Sequence, residues 1–221
     1  MKKTVCVVLA AVVMLTSAAC LAFSDIALDD ELLEAAAAEL SKLEIINGYE
    51  DGTFRAEKSI TRAEMAQILR NLLPNKKDNT PSLYDTAFND LKSSHWAYEA
   101  IAVMNSMGIV MGNNAGKVRP DDKVTNAEAV TMIIRMLGYE GEAIENGGYP
   151  LGYLNTAIET TLLNGLSLEL NSPATRGDVA VMIYNMLDIP VMTVSGYNIK
   201  TDKTEYEVSV GNTFRKIIEE Y

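Results

Sequence analysis

Past residue 20 this chain has no cysteine, and over its full 221 residues it has one histidine, His95, and one tryptophan, Trp96. A lone histidine without cysteine partners excludes a Cys–His nucleophile and most Ser–His arrangements, and argues against a zinc site. No glycine-rich phosphate loop is present. The Asp51-Gly52 turn has too few acidic neighbours for a calcium loop. Carboxylates are plentiful, yet no spacing singles out an acid/base pair. No catalytic residue, metal or cofactor is therefore expected. The formal net charge of −11 disfavours nucleic acid and anionic membrane, so any polyanion must be held by a local site.

Long apolar runs are also missing, except at the N-terminus. Lys2 and Lys3 precede an almost unbroken apolar stretch from Val5 to Leu15, followed by small residues up to Ala22. This is the layout of a secretory signal over 1–22, with an apolar run shorter than the ~20 residues of a spanning helix. Cleavage after Ala22 would remove both Cys6 and Cys20, leaving stability to packing alone. Two alternatives stay open: an uncleaved membrane anchor, and lipidation at Cys20 after Ala18-Ala19.

What the chain does have is an internal repeat. Residues 46–56 and 60–64 align without gaps on 110–120 and 124–128, an offset of 64. Phe23-Ser24-Asp25 matches Phe88-Asn89-Asp90 at an offset of 65. A more eroded third copy holds Ala157-Ile158, Asn164-Gly165-Leu166 and Ala174 to Asp178, with a loop three residues shorter. Each copy reads as helix, tight loop, helix. Residues 32–46 are rich in Ala, Leu and Glu, and Asn47-Gly48 is expected to end that helix through a positive φ. Apolar residues at 65, 68, 69, 72 and 73 form a 3.6-residue stripe, repeated after residues 125 and 175. One copy buries too little core, so neighbours must supply the rest.

The segment Thr61-Arg62-Ala63-Glu64 is a capping box: Thr61 caps the helix and Glu64 reaches back. Thr125 with Glu128 repeats the device, and Thr175 with Asp178 approximates it. Capping does not account for Arg62 or Arg176, each a cation at the positive end of a helix dipole. Exposed helix-start amides plus a guanidinium would suit a carboxylate or phosphate; a simple surface ion pair is the competing explanation.

Phe88, Asp90, Trp96-Ala97, Ala100-Ile101, Gly108-Ile109 and Gly112, with the Thr-Arg-Ala-Glu at 61–64, resemble the S-layer homology pattern over about residues 23–187. The resemblance implies an all-α fold of three helix-loop-helix repeats in a pseudo-three-fold unit. Its boundaries here would be 23–74, 85–139 and a degenerate 140–189, with a linker at 75–84. It further implies grooves between repeats that hold a pyruvylated cell-wall polysaccharide, anchoring an exported protein to the cell wall, and leaves self-association in a surface layer open. By that analogy Arg62 and Arg176 would meet the ketal carboxylate, while Asp90, Trp96, Gly48 and Gly112 would shape the groove and meet the sugar. Trp96 could equally be a core residue. Asn126 stands where the second copy's arginine is expected, so one or two competent grooves are anticipated. Residues 190–221 are a β-prone tail with a short helix near the end, too small to fold alone, or the start of a longer C-terminal region that is truncated here. Two other functions remain compatible: a lipoprotein scaffold held through Cys20, and the targeting part of a wall hydrolase.

Overall fold

The computed structural model describes residues 23–27, 29–74, 86–198 and 203–220. The expected signal segment and the whole of the linker at 75–84 lie outside these residues. The described chain is mostly helical. Helices α1 (Glu31–Lys42), α2 (Arg62–Asn71), α3 (Tyr98–Ser106), α4 (Asn126–Met136), α5 (Glu140–Glu145), α6 (Leu151–Glu159) and α7 (Arg176–Met186) precede strands β1 (Pro190–Asn198) and β2 (Lys203–Thr213), and α8 (Phe214–Glu219) ends the chain.

Three helices, α2, α4 and α7, start at a threonine cap and bring their N-termini together. In each, the cap hydroxyl accepts the amide of the residue three places on, at 3.1, 3.2 and 3.1 Å. Glu64 and Glu128 complete a capping box by accepting the Thr61 and Thr125 amides at 2.7 and 3.0 Å. The residue before each cap joins a closed ring of backbone hydrogen bonds. Ile60 donates to Ala174, Ala174 to Val124, and Val124 to Ile60, at 3.1, 2.9 and 3.1 Å. Ile60, Val124 and Ala174 are buried at its centre.

Each helix start is stitched into its neighbour as well. The Arg62 and Ala63 amides donate to Asp122 and Pro120, the Asn126 and Ala127 amides to Ser172 and Leu170, and the Arg176 and Gly177 amides to Lys58 and Ala56. The helix-start amides expected to be exposed are therefore occupied by carbonyls of the next loop. An orphan donor buried in an interface needs such an acceptor, and the neighbouring turn provides it.

Helix α1 ends earlier than expected. It stops at Lys42, and Glu44 takes the positive φ of 56° there. Gly48 is required for a different reason: a Cβ on it would stand 2.1 Å from a carbon of the Phe23 ring. Gly112 makes the same room for Phe88, at 2.4 Å. The aspartate two places on then fixes the loop. Asp25 accepts the Phe54 and Arg55 amides, both at 2.7 Å, and Asp90 accepts those of Val118 and Arg119 at 2.9 and 2.8 Å. Arg55 and Arg119 hold φ of 59° and 54°, a strained region for a residue with a side chain, which the aspartate stabilises.

The tail folds onto the helical body. Strands β1 and β2 pair antiparallel. The Met192 amide donates to the Leu137 carbonyl at 2.8 Å, and the Tyr139 hydroxyl to that of Pro190 at 3.0 Å. Phe214 is buried in the common core. Arg215 reaches Glu39 of α1 at 2.7 Å and grips Asp188 at 2.6 and 2.9 Å, tying the tail to the first and last helices of the body.

Two outcomes follow from these contacts. Replacing Arg215 by alanine should cost about 1–2 kcal/mol, since its ion pairs are half-screened, and lower the melting temperature by several degrees. An unchanged melting curve would mean that the tail merely rests on the body. Acid should also weaken the fold. Burial pushes the Asp25 and Asp90 carboxyls up, but paired backbone amides outweigh it and hold both below the ordinary value. The hydrogen bond from Arg215 does the same for Asp188. Carboxylates depressed on folding contribute stability that is present above their unfolded pKa of ~3.9 and lost as pH falls through the folded value. The urea midpoint should therefore hold steady from pH 7 to about pH 5 and drop below about pH 4, less steeply in Asp90→Asn.

Candidate functional site

Arg62 and Arg176 both open a threonine-capped helix and both turn away from their own helix dipole into the neighbouring loop. Arg62 Nε donates to the Val118 carbonyl at 2.8 Å and Nη2 to that of Met111 at 3.1 Å. Arg176 Nε donates to the Phe54 carbonyl at 2.9 Å, and its Nη2 to that of Asn47. These acceptors are at equivalent positions in the two copies. Asn126 makes a shorter reach of the same kind, its amide donating to the Glu169 carbonyl at 3.0 Å. The dipole penalty foreseen for a helix-start cation is offset by carbonyl contacts across the interface.

The two arginines differ in what else surrounds them. Arg62 is 5% exposed, and its Nη1 lies 2.8 Å from Glu128 Oε1, which Arg119 also contacts at 3.2 Å. Burial pushes its pKa down, and the Glu128 charge pulls it back up. Arg176 has no carboxylate within ion-pair distance among the described residues, and burial pushes its pKa down too. Its guanidinium lies 5.3 Å from the centre of the Tyr49 ring and 4.8 Å from that of Phe54. The same Tyr49 ring carries Arg55 at 3.8 Å and Lys58 at 5.7 Å. Lys58 donates to the Tyr49 hydroxyl at 3.1 Å and to Glu64 at 3.0 Å, which together hold its pKa above the ordinary value. Arg55 pairs with Asp51 at 2.8 Å. Three cations thus face one aromatic ring with two nearby carboxylates between them, leaving Arg176 as the charge without a close counterion.

Tyr49, Arg55 and Lys58 were not foreseen as site residues. Their signal lay in the gapless alignment of the first two copies, where Tyr49 faces Asn113 and Lys58 faces Asp122. Lys58 holds Glu64 at 3.0 Å, whereas the equivalent Glu128 is held by Arg62 at 2.8 Å.

The remaining expected residues fall into two groups. Asp90 spends both carboxylate oxygens on backbone amides, and Gly48 and Gly112 accommodate aromatic rings; these three shape the loops that carry the site. Trp96 is 61% exposed, which overturns the core alternative for it. Its ring stacks on His95 at 5.7 Å, and His95 in turn faces Asp121 at 3.6 Å. The structure does not bring Trp96 into contact with either arginine cluster. Among the described residues no group of three or more His, Cys, Asp or Glu side chains could hold a metal ion, and no helix is long and apolar enough to cross a membrane.

Comparison with known proteins agrees with this geometry. The S-layer homology domain matches residues 22–66 and 87–130. The chain is 29% identical over 208 residues to a cell surface protein of Thermoanaerobacter kivui, covering 90% of this chain and 26% of that protein. It is 31% identical over 163 residues to the middle cell wall protein of Brevibacillus brevis, covering 74% of this chain and 15% of that one. A cellulosome-anchoring protein of Acetivibrio thermocellus is 36% identical over 102 residues, 46% of this chain and 23% of its own length. The chain thus spans about a quarter or less of the length of these curated relatives. The matches indicate an exported protein of the cell surface. Residues 22–66 and 87–130 are S-layer homology domains, and the chain is a member of the surface proteins built on that repeat.

Proposed function

We propose that this chain anchors itself, and whatever it is joined to, non-covalently at the cell wall by binding an anionic cell-wall polysaccharide. In this reading the segment 140–189 is a divergent third copy, so that three repeats make one unit with a groove at each junction. The closed hydrogen-bond ring and the matching reach of Arg62, Asn126 and Arg176 into the next loop support it. So does the similarity to a cellulosome-anchoring protein.

The observation that carries the proposal is the uncompensated guanidinium of Arg176 among the cations around Tyr49. A carboxylate, such as a pyruvyl ketal on a sugar, would supply the missing counterion. Its site is partly desolvated, and in such sites charge-assisted hydrogen bonds are strongest. The Tyr49 ring offers an apolar face beside it. The neighbouring backbone is rigid, because Asp25 pins the loop at Phe54 and Arg55 while Arg176 itself holds the Phe54 carbonyl. Little ordering is left to do when ligand arrives. The acidic surface elsewhere repels a polyanion, so binding is confined to this local cationic patch. Arg62 has its counterion in Glu128 and serves mainly to join two repeats.

Co-sedimentation with purified wall sacculi, before and after chemical removal of the secondary polymer, tests this. Arg176→Ala should weaken binding about tenfold or more, the loss of a charged hydrogen bond. Arg62→Ala should instead cost about 3 kcal/mol of stability, because it removes a buried guanidinium and leaves the Val118 and Met111 carbonyls without their donor. Equal sedimentation with stripped walls would refute polysaccharide binding, and undiminished binding by Arg176→Ala would refute the assignment of the groove.

A further inference from the structure

A cavity of about 250 Å³ opens beside Arg62, and its chemical character differs from that of the surroundings of Arg176. Its walls include Arg62, Met111, Glu128, Thr131, Arg135 and Tyr149. Each cation there has a carboxylate. Arg62 pairs with Glu128 at 2.8 Å, Arg119 with Glu128 at 3.2 Å and with Asp122 at 3.8 Å, and Arg135 with Glu140 at 2.8 Å. The Tyr153 hydroxyl also donates to Glu140 at 2.8 Å, closing that pair into a fixed triad with Arg135. A groove whose charges are balanced gives an incoming anion no net gain for the water it must shed.

The cavity nonetheless has the makings of a binding site. Tyr149 is 59% exposed and Met111 53%, so two large apolar side chains are held at the surface of a cleft instead of in the core. Thr131 gives its hydroxyl proton to the Ala127 carbonyl at 2.8 Å, which leaves the oxygen as an acceptor. An exposed aromatic face beside fixed polar groups, in a space about the size of one sugar ring, suits a molecule with an apolar face and a hydroxylated edge.

We infer that the Arg62 groove takes an uncharged sugar ring laid against Tyr149, so that it and the Arg176 groove recognise different parts of the polymer. This rests on the polysaccharide reading above and deepens it. The anionic unit goes to Arg176 and Tyr49, and a neutral unit goes to Tyr149 and Met111. The difference traces to sequence positions 64 residues apart: Lys58 and Tyr49 in one groove are replaced by Asp122 and Asn113 in the other. Tyr149 has no counterpart in the gapless alignment, because it comes from the α5–α6 connection of the third helix pair.

Ligand-observed NMR on the full chain separates the two sites, with chitotetraose and mannotetraose as neutral probes and a 4,6-pyruvyl ketal of methyl mannoside as the anionic one. A neutral tetrasaccharide should bind with an affinity that falls at least fivefold in Tyr149→Ala, partly recovers in Tyr149→Phe, and stays within twofold in Arg176→Ala. The ketal glycoside should show the opposite dependence. Tyr149 is exposed, so melting curves of its variants should overlay the parent curve. The inference is overturned if neither neutral tetrasaccharide responds to Tyr149→Ala, or if the ketal glycoside is the probe that this variant loses. Should the ketal glycoside depend on Arg176 while the neutral sugars ignore Tyr149, the anionic groove stands and the neutral one falls. Should the neutral sugars depend on Tyr149 while the ketal ignores Arg176, the reverse holds.

Discussion

Ile60, Val124 and Ala174 hold one another by backbone hydrogen bonds in a closed ring, each donating to one neighbour and accepting from the other. The rest of the molecule depends on this constraint. Each residue precedes a helix cap, so fixing the three fixes where α2, α4 and α7 begin and which loop each faces. The ring is buried, so no link can open without stranding a donor and an acceptor away from water. Three helix starts that lie far apart in the chain are thereby held together.

Once the helix starts are fixed, the interfaces follow. The first amides of α2, α4 and α7 are spent on carbonyls of the next loop, and the first side chain reaches the same loop further out. An arginine at that position is long enough to span the junction: Arg62 ends buried on Glu128, and Arg176 ends half-buried beside Tyr49. An asparagine is not, and Asn126 is buried with its amide on the Glu169 carbonyl. The groove is thus a by-product of how the repeats are joined. The counterions around it differ: Arg62 has a carboxylate at 2.8 Å, while Arg176, alike in sequence context, has none within ion-pair distance among the described residues.

Much of this was legible in the chain. The Thr-x-x-Glu and Thr-x-x-Asp spacings located three helix starts, because capping is a local interaction between residues three apart. The Val, Thr and Tyr after Pro190 marked a β-prone tail, and the structure pairs it as two antiparallel strands. Gly48 illustrates the converse: next to Asn47 it looked like a helix end, yet it exists to admit the Phe23 ring, a contact between residues 25 apart in sequence. Trp96 was equally ambiguous, since burial of one aromatic side chain depends on what packs over it. Tyr49 and Lys58 gave no local sign of belonging to a site because the arginine that completes it lies more than a hundred residues away.

The sequence by itself determined the repeat, the helix starts, the acidic balance and the surface-protein family, all of which rest on short-range patterns or on overall composition. The tertiary structure decided which arginine keeps an open charge, that Asp90 is bound to backbone, and that the tail is clamped to α1 through Arg215 and Glu39. Electrostatic fields add up over groups that are neighbours in space, and the ring brings together residues that the chain keeps far apart.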